Sequence, residues 1–336
     1  VMLRDSDADV TALVGRRVAV IGYGDLGRPY ALNLRDSGVP ALIGNQDDEF
    51  AKQAAADGFP IYPIAEAAAH ADTLLLMLPD ELLASIYAAH IAPYLTPGMA
   101  LVFASGYCVT FGFIEPPPFV DLLLIAPRTI GAGVREGYQN GGGYLSFLAV
   151  EQDATGKAWP LTLALAQALG ALRMGALELT FRQEAELDLF VQQAFLPALH
   201  NLLISAADVL LAEGYPPEAA LLDLYMSGEI GYTLNKAAQQ GLLDTLRMYS
   251  LTAQYGMLSR ADRFADPRLR RQMEAALDDI RSGKFAAEWA DEFANDYPRL
   301  KALRAKRERL TLWELEQQVI QALQQPLPEV PEDVDP

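Results

Sequence analysis

Cysteine is almost missing from this chain: Cys108 is the only one in 336 residues. That rules out an internal disulfide and any zinc site built on clustered cysteines. Histidine is nearly as scarce, and His70, His90 and His200 stand far apart, which argues against a histidine-based metal centre. Positive charge is also in short supply, with 26 Lys and Arg against 44 Asp and Glu and a formal net charge of -18 at pH 7. So acidic a chain offers no extended surface to nucleic acid or anionic lipid. The one basic run, "RLKALRAKRERL" (299–310), is spaced as a solvated helix face or an intramolecular partner for acids. No apolar run reads as long enough to span a membrane, and no signal-like segment opens the chain. A soluble, cytoplasmic protein that takes a small-molecule substrate is the expectation.

What the sequence does contain is apolar and ordered. Hydrophobic residues make up 51% and charged residues 21%, a globular composition, and the length suffices for two domains. Near-continuous apolar runs recur at "RVAVIGYG" (17–24), "PALIGN" (40–45), "TLLLMLP" (73–79), "ALVFASG" (100–106), "VDLLLIAP" (120–127) and "YLSFLAV" (144–150). Strands covered on both faces of a parallel sheet read this way. A further strand is expected over 171–179, after a helix at 157–170. The alternation predicts an α/β fold with a Rossmann-type doubly wound parallel sheet over residues 1–180. Strand signals then stop, and 181–322 reads as an all-α substrate and dimerisation domain. Gly214 and Gly241 serve as helix stops there. The acidic, proline-rich residues 323–336 are expected to be a disordered tail.

"VAVIGYGDLGRPYALNL" places Gly22, Gly24 and Gly27 in GxGxxG spacing between a strand and a helix. The first glycine permits a tight turn, the second admits a pyrophosphate to the backbone, and the third allows close helix–strand packing. Helix N–H groups and dipole then hold the phosphates. Tyr23, Asp25 and Leu26 complete the loop. Asn45, Gln46 and Asp47 follow the second strand, with Asp47 twenty positions after Gly27. An acid there accepts from ribose hydroxyls and repels a 2′-phosphate. "GNQDDEF" holds no Arg or Lys, so NAD(H) is favoured over NADP(H).

Beyond the loop, ordered stretches along nearly the whole chain resemble the ketol-acid reductoisomerase family. "LLLMLPDE", "FASGYCVTF", "APRTIGAGVREGY", "AVEQDATGKA", "LTFRQEAELDLFVQQAFL", "AEGYPPEAALLDLYMSGEI", "YSLTAQYG" and "GKFAAEWADEF" carry it. The resemblance implies a Rossmann domain followed by a knotted helical domain, and an active site completed across a homodimer. It places Leu78, Pro79, Ser105 and Pro127 around the nicotinamide, and Ser250 at a serine that contacts substrate.

The chain departs from the family where the chemistry lies. The family holds two magnesium ions with an Asp and a Glu four apart and two further Glu four apart. Here those positions read Asp188 and Gln192, then Asp223 and Ser227. Magnesium wants anionic oxygens in near-octahedral array, so two bridged ions are not expected; one weakly held ion, or no metal, is. His-Gly-Phe of the family becomes Ser105-Gly106-Tyr107, and Pro-Lys-Gly becomes Pro127-Arg128-Thr129. Arginine stays protonated, so Arg128 can anchor an anion but carries protons poorly.

The candidate catalytic set is therefore Asp188, Asp223, Tyr107, Arg128 and Ser250. Each has a plainer reading. Asp188 could pair with Arg182 or another base, Asp223 could be a surface acid, Tyr107 could pack among aromatics, and Arg128 could form a structural ion pair. Alkyl migration needs Lewis-acid metals, whereas hydride transfer needs a held cofactor, an oriented acceptor and a proton source. An NADH-dependent reductase of a small ketone, 2-keto acid or imine is the leading expectation. A reductoisomerase with a variant metal site and a non-catalytic nucleotide-binding homologue are the alternatives.

Overall fold

The structure, a computed structural model, describes residues 1–324. The expected tail falls outside them save for its first two residues, which close the last helix. The chain divides into two compact units, Val1–Leu189 and a second from Phe190 on.

Nine strands build the sheet of the first unit: β1 (Met2–Leu3), β2 (Val18–Ile21), β3 (Ala41–Gly44), β4 (Ile61–Tyr62), β5 (Thr73–Leu76), β6 (Ala100–Phe103), β7 (Asp121–Pro127), β8 (Ser146–Gln152) and β9 (Ala176–Glu178). Their order is β1-β9-β8-β7-β6-β5-β2-β3-β4. From β4 to β7 all neighbours are parallel, the doubly wound order with its reversal between β2 and β5. Residues of β2, β5 and β6 are buried throughout, because helices cover both faces. These are α1 (Gly27–Asp36), α2 (Glu49–Ala56), α3 (Ile64–His70), α4 (Asp80–Ile86), α5 (Tyr107–Thr110), α6 (Gly131–Gln139), α7 (Ala158–Leu169) and α8 (Ala171–Met174). Burying one such Leu or Ile side chain contributes roughly 1.5–3 kcal/mol, and the core includes Val20, Leu34, Ile43, Leu75, Val102, Leu123 and Leu165.

Three details differ from the reading of the sequence. β8 runs antiparallel to β7, and β1 antiparallel to β9; burial on both faces does not encode direction. Only 176–178 of the expected strand at 171–179 is extended, while Ala171–Met174 forms a helical turn. The stretch Ala171-Leu172-Arg173-Met174 has no β-branched residue and strong helix formers. The first unit also takes in most of α9 (Phe181–Phe190), because Phe181 meets Phe103 with ring centroids 5.9 Å apart and Glu184, Ala185 and Leu189 are buried.

Helices alone make up the described part of the second unit. After a π turn at Val191–Phe195 come α10 (Leu196–Ala212), α11 (Pro217–Leu221), α12 (Glu229–Gln240), α13 (Leu251–Arg260), α14 (Pro267–Arg281), α15 (Lys284–Ala294), α16 (Pro298–Glu308) and α17 (Thr311–Gln324). Gly214 and Gly241 follow helix ends with positive φ, as expected. Between Pro216 and Gly241 the chain is not one helix. A second π turn occupies Leu222–Met226, and Gly228, at φ +83°, breaks the path before α12. The basic run is α16, whose Lys301 binds Asp296 at 2.6 Å and whose Arg299 binds Glu288, so it does serve as a partner for acids.

No uninterrupted apolar run reaches membrane length, as the sequence reads, yet one helical stretch comes near it. Phe181–Ala212 forms one continuous helical stretch of 32 residues, within which an 18-residue window has a mean hydropathy of 1.6, enough to cross a membrane by length and composition alone. Gln192, Gln193, Pro197, His200 and Asn201 interrupt its apolar run in sequence, which is why no uninterrupted span is visible there.

Candidate active site

The reversal of strand order leaves a crevice at the carboxyl ends of β2 and β5, where open α/β sheets bind ligands. A cavity of about 430 Å³ lies there. Gly22, Tyr23, Gly24, Asp25 and Leu26 line it from the loop, Asn45 and Gln46 from the end of β3, Leu78 and Pro79 from the end of β5, and Ser105 from the end of β6.

Each glycine has its own reason to be there. Gly22 has φ +90°, and a Cβ on it would lie 2.6 Å from the Met77 carbonyl oxygen. A Cβ on Gly27 would lie 2.0 Å from the Gly22 oxygen, so α1 can only approach the loop without one. Around Gly24 nothing lies within 4 Å of that position. The open space is where a pyrophosphate would meet the backbone, and the loop therefore fits a dinucleotide.

Polar side chains fix this cradle from beneath. Asn45 Oδ1 accepts from the Tyr23 N–H at 3.1 Å, and its Nδ2 donates to Asp48 Oδ1 at 2.8 Å. Asp48 in turn caps α2, accepting from the Ala51 N–H at 3.0 Å. Tyr23 offers only its backbone to the cavity. Its buried side chain turns the other way, with the hydroxyl donating to Asp57 at 2.8 Å and the ring edge-on to Phe59. Asp48 rather than Asp47 lines the main cavity; Asp47 lines an adjoining one with Ile61, Tyr62 and His90. Pro127 ends β7 and is absent from the residues lining the main cavity.

A second cluster sits where β7, α5 and α9 meet. Arg128 Nη1 donates to Glu184 Oε1 at 3.0 Å, and Nη2 donates to Asp188 Oδ1 at 2.8 Å. The guanidinium carbon lies 4.8 Å from the centroid of the Phe147 ring. Glu184 is 1% exposed, and its other oxygen accepts from the Gly106 N–H at 2.7 Å. Burial pushes its carboxyl up to about 7, against the opposing pull of the Gly106 N–H and Arg128. The sequence reading missed Glu184. It stands one helical turn before Asp188, on the same face, and counting backward as well as forward from Asp188 would have found it. Gly106 has no room for a side chain, since a Cβ would lie 2.2 Å from the Phe181 oxygen.

Tyr107 opens α5 and is buried, stacked on Phe113 at 5.6 Å and tilted to Phe111 at 5.2 Å. Its hydroxyl has no hydrogen-bond partner among the described residues, and burial raises its pKa. Asp80, at the start of α4, was also missed. It lines the main cavity, and burial, reinforced by Glu81, pushes its carboxyl up to about 6. The Cys108 thiol donates to the Asp80 carbonyl oxygen at 3.4 Å.

Asp188, Arg128 and Tyr107 thus belong to the first unit, and Asp188 pairs with Arg128 rather than resting on Arg182, whose ion pair is with Glu186. Asp223 and Ser250 belong to the second. Asp223 is exposed on the π turn at Leu222–Met226. Ser250 caps α13, its Oγ accepting from the Ala253 N–H at 3.3 Å. Tyr225 packs beside the small core of Ala207, Leu221 and Val319 and donates to Glu316.

Comparison with known proteins agrees with this architecture. Residues 12–175 match the family described as acetohydroxy acid isomeroreductase, NADPH-binding domain, and residues 181–325 match ketol-acid reductoisomerase, C-terminal domain. The solved structure of an NADH-preferring ketol-acid reductoisomerase from an uncultured archaean is similar at 33% identity and a TM-score of 0.90, over 97% of this chain and 100% of that one. A semialdehyde dehydrogenase NAD-binding protein from Cupriavidus necator, in complex with calcium and NAD, is similar at 20% identity and a TM-score of 0.61, over 80% and 99%; that likeness is one of fold alone. With a glycine loop at the strand reversal, a helical second unit and matches along nearly its full length, the chain belongs to the ketol-acid reductoisomerase family, whose members are NAD(P)-dependent oxidoreductases.

Proposed function

We propose that this chain is an NADH-dependent reductase that delivers hydride to a small polar ketone, 2-keto acid or imine without a preceding isomerisation. One observation carries the reading: two of the three α9 carboxylates, Glu184 and Asp188, are both bound by Arg128, and the residue one turn on is the uncharged Gln192. This donor set does not suit a magnesium ion, which demands several anionic oxygens in strict geometry. Alkyl migration would lack its Lewis acid.

The nicotinamide cofactor, when bound, supplies the hydride. Gly24 leaves its backbone open to the phosphates, and Gly22 and Gly27 hold the turn in which that backbone is presented. Leu78, Pro79 and Ser105 shape the inner end of the cavity. Tyr107 is the candidate proton donor to the acceptor, Asp188 a candidate hydrogen-bond contact to the substrate through its carboxylate oxygens, and Arg128 sets the position of Asp188. NADH is favoured over NADPH because Gly44–Phe50 holds five polar or acidic side chains and no base to receive a 2′-phosphate. Exposed apolar residues on α10, Leu202 at 59% and Val209 at 64%, support a homodimer in which a second copy covers them.

A second reading, a working reductoisomerase with a variant site, draws on the 33% identity to a protein described as a ketol-acid reductoisomerase. Turnover of 2-acetolactate with NADH and magnesium, beside a panel of ketones, 2-keto acids and imines, separates the two. Reduction confined to the panel supports the reductase; 2-acetolactate turnover at ordinary enzyme rates overturns it.

A further inference from the structure

The position of Arg128 raises a question that the loss of acids alone does not answer. Glu184 and Asp188 stand one turn apart on α9, and two carboxylates so close repel each other unless a cation lies between them. Arg128 supplies that cation. One guanidinium spans both, through Nη1 to Glu184 at 3.0 Å and Nη2 to Asp188 at 2.8 Å. Its plane is steadied by the Phe147 ring at 4.8 Å, a contact that arginine makes well. From the far side Glu184 is fixed by the Gly106 N–H. The arginine side chain is 27% exposed, so it is held inside the cluster rather than draped over it.

We propose that Arg128 is the fixed cation of this site: its guanidinium holds these two α9 carboxylates in the place of a divalent ion, so that the folded chain and its cofactor site need no divalent metal. A planar fork with several donors can bridge two carboxylates, which a lysine ammonium, a compact point charge, matches less well. Arg128 is on this account a positioning residue for Asp188. The inference rests on the reductase reading, yet the two fail separately. Divalent-ion uptake without isomerisation sinks this one alone, and metal-free turnover of 2-acetolactate sinks the other alone.

The test uses the intact chain with NADH present, adding Mn²⁺ as the probe and following it by electron paramagnetic resonance and by melting curves. The wild-type protein is expected to leave sub-millimolar Mn²⁺ free, to melt at the same temperature with and without it, and to bind NADH equally well in a chelator. Arg128→Met, which leaves the two acids without their cation, is expected to melt several degrees lower and to regain a large part of that loss in Mn²⁺. A merely structural arginine would not create such a dependence. Should Arg128→Met fail to fold, Arg128→Lys is read instead, with a smaller shift of the same sign. Uptake of one or two Mn²⁺ per wild-type chain overturns the proposal. So does weaker NADH binding in chelator, or a melting curve of the variant that Mn²⁺ leaves unmoved.

Discussion

Arg128 and Asp188 meet across sixty residues of sequence, Nη2 to Oδ1 at 2.8 Å, and Glu184 shares the same guanidinium. Removing the buried partner should therefore cost more than removing the half-exposed one. Glu184→Leu leaves the Gly106 N–H and one guanidinium edge unpaired and is expected to lower stability by about 3–5 kcal/mol. Glu184→Gln, which can still accept from Gly106, should cost about 1–2 kcal/mol. Urea denaturation of the three proteins gives the comparison; equal losses would mean that the charge itself is idle.

The glycines of the loop should separate into two kinds. Gly22→Ala meets the Met77 carbonyl and a positive φ, and is expected to lose about 1–3 kcal/mol of stability. Gly24→Val has free space in the protein but fills the cradle. It should keep the melting temperature and weaken NADH binding on the order of 10-fold or more, or about 1.4 kcal/mol. Fluorescence titration and thermal melts on the same samples check both.

Asp57 predicts a window of pH sensitivity. The bond from Arg28, Nε to Oδ2 at 2.7 Å, outweighs burial and with the Tyr23 hydroxyl holds its carboxyl down to about 2, from 3.8. A carboxyl depressed by folding contributes stability that is fully present above the unfolded value and is lost as pH falls through the folded one. Wild-type stability should thus fall between about pH 4 and pH 2, and Asp57→Asn should flatten that part of the curve. Denaturation midpoints taken across the window decide it.

Ser250 carries a cap as well as a family resemblance. Ser250→Ala should cost about 1 kcal/mol of helix stability through the lost bond to the Ala253 N–H. Ser250→Asp, which keeps a capping oxygen, should restore it. If reductase turnover falls in both variants alike, the serine hydroxyl is needed at the site; if it falls only in the alanine variant, the cap is what matters.

Much of this molecule was legible before its coordinates. The strands β2, β5 and β6 announced themselves because both faces are covered, which forces continuous apolar runs, and the glycine loop was readable because φ and close approach leave no other residue. β1 and β4, at two residues each, are too short to show a period. The π turns at Val191–Phe195 and Leu222–Met226 have no signature in local propensity. Position in the motif brings Tyr23 and Asp47 to the cavities, but it does not record that the Tyr23 hydroxyl turns to Asp57 or that Asp48 lines the main cavity while Asp47 lines the adjoining one. Glu184 stayed hidden because the family comparison was counted from Asp188 toward Gln192 only.

The lone sulfhydryl of the chain, on Cys108, is 1% exposed and raised in pKa by burial and by its neighbour Asp80. Alkylating reagents attack the thiolate, so the native protein should resist them until the region around α5 opens. The rate of iodoacetamide incorporation, read by mass, therefore becomes a clock for that local opening. Any thiol installed elsewhere on the surface can carry a dye or spin label free of native background.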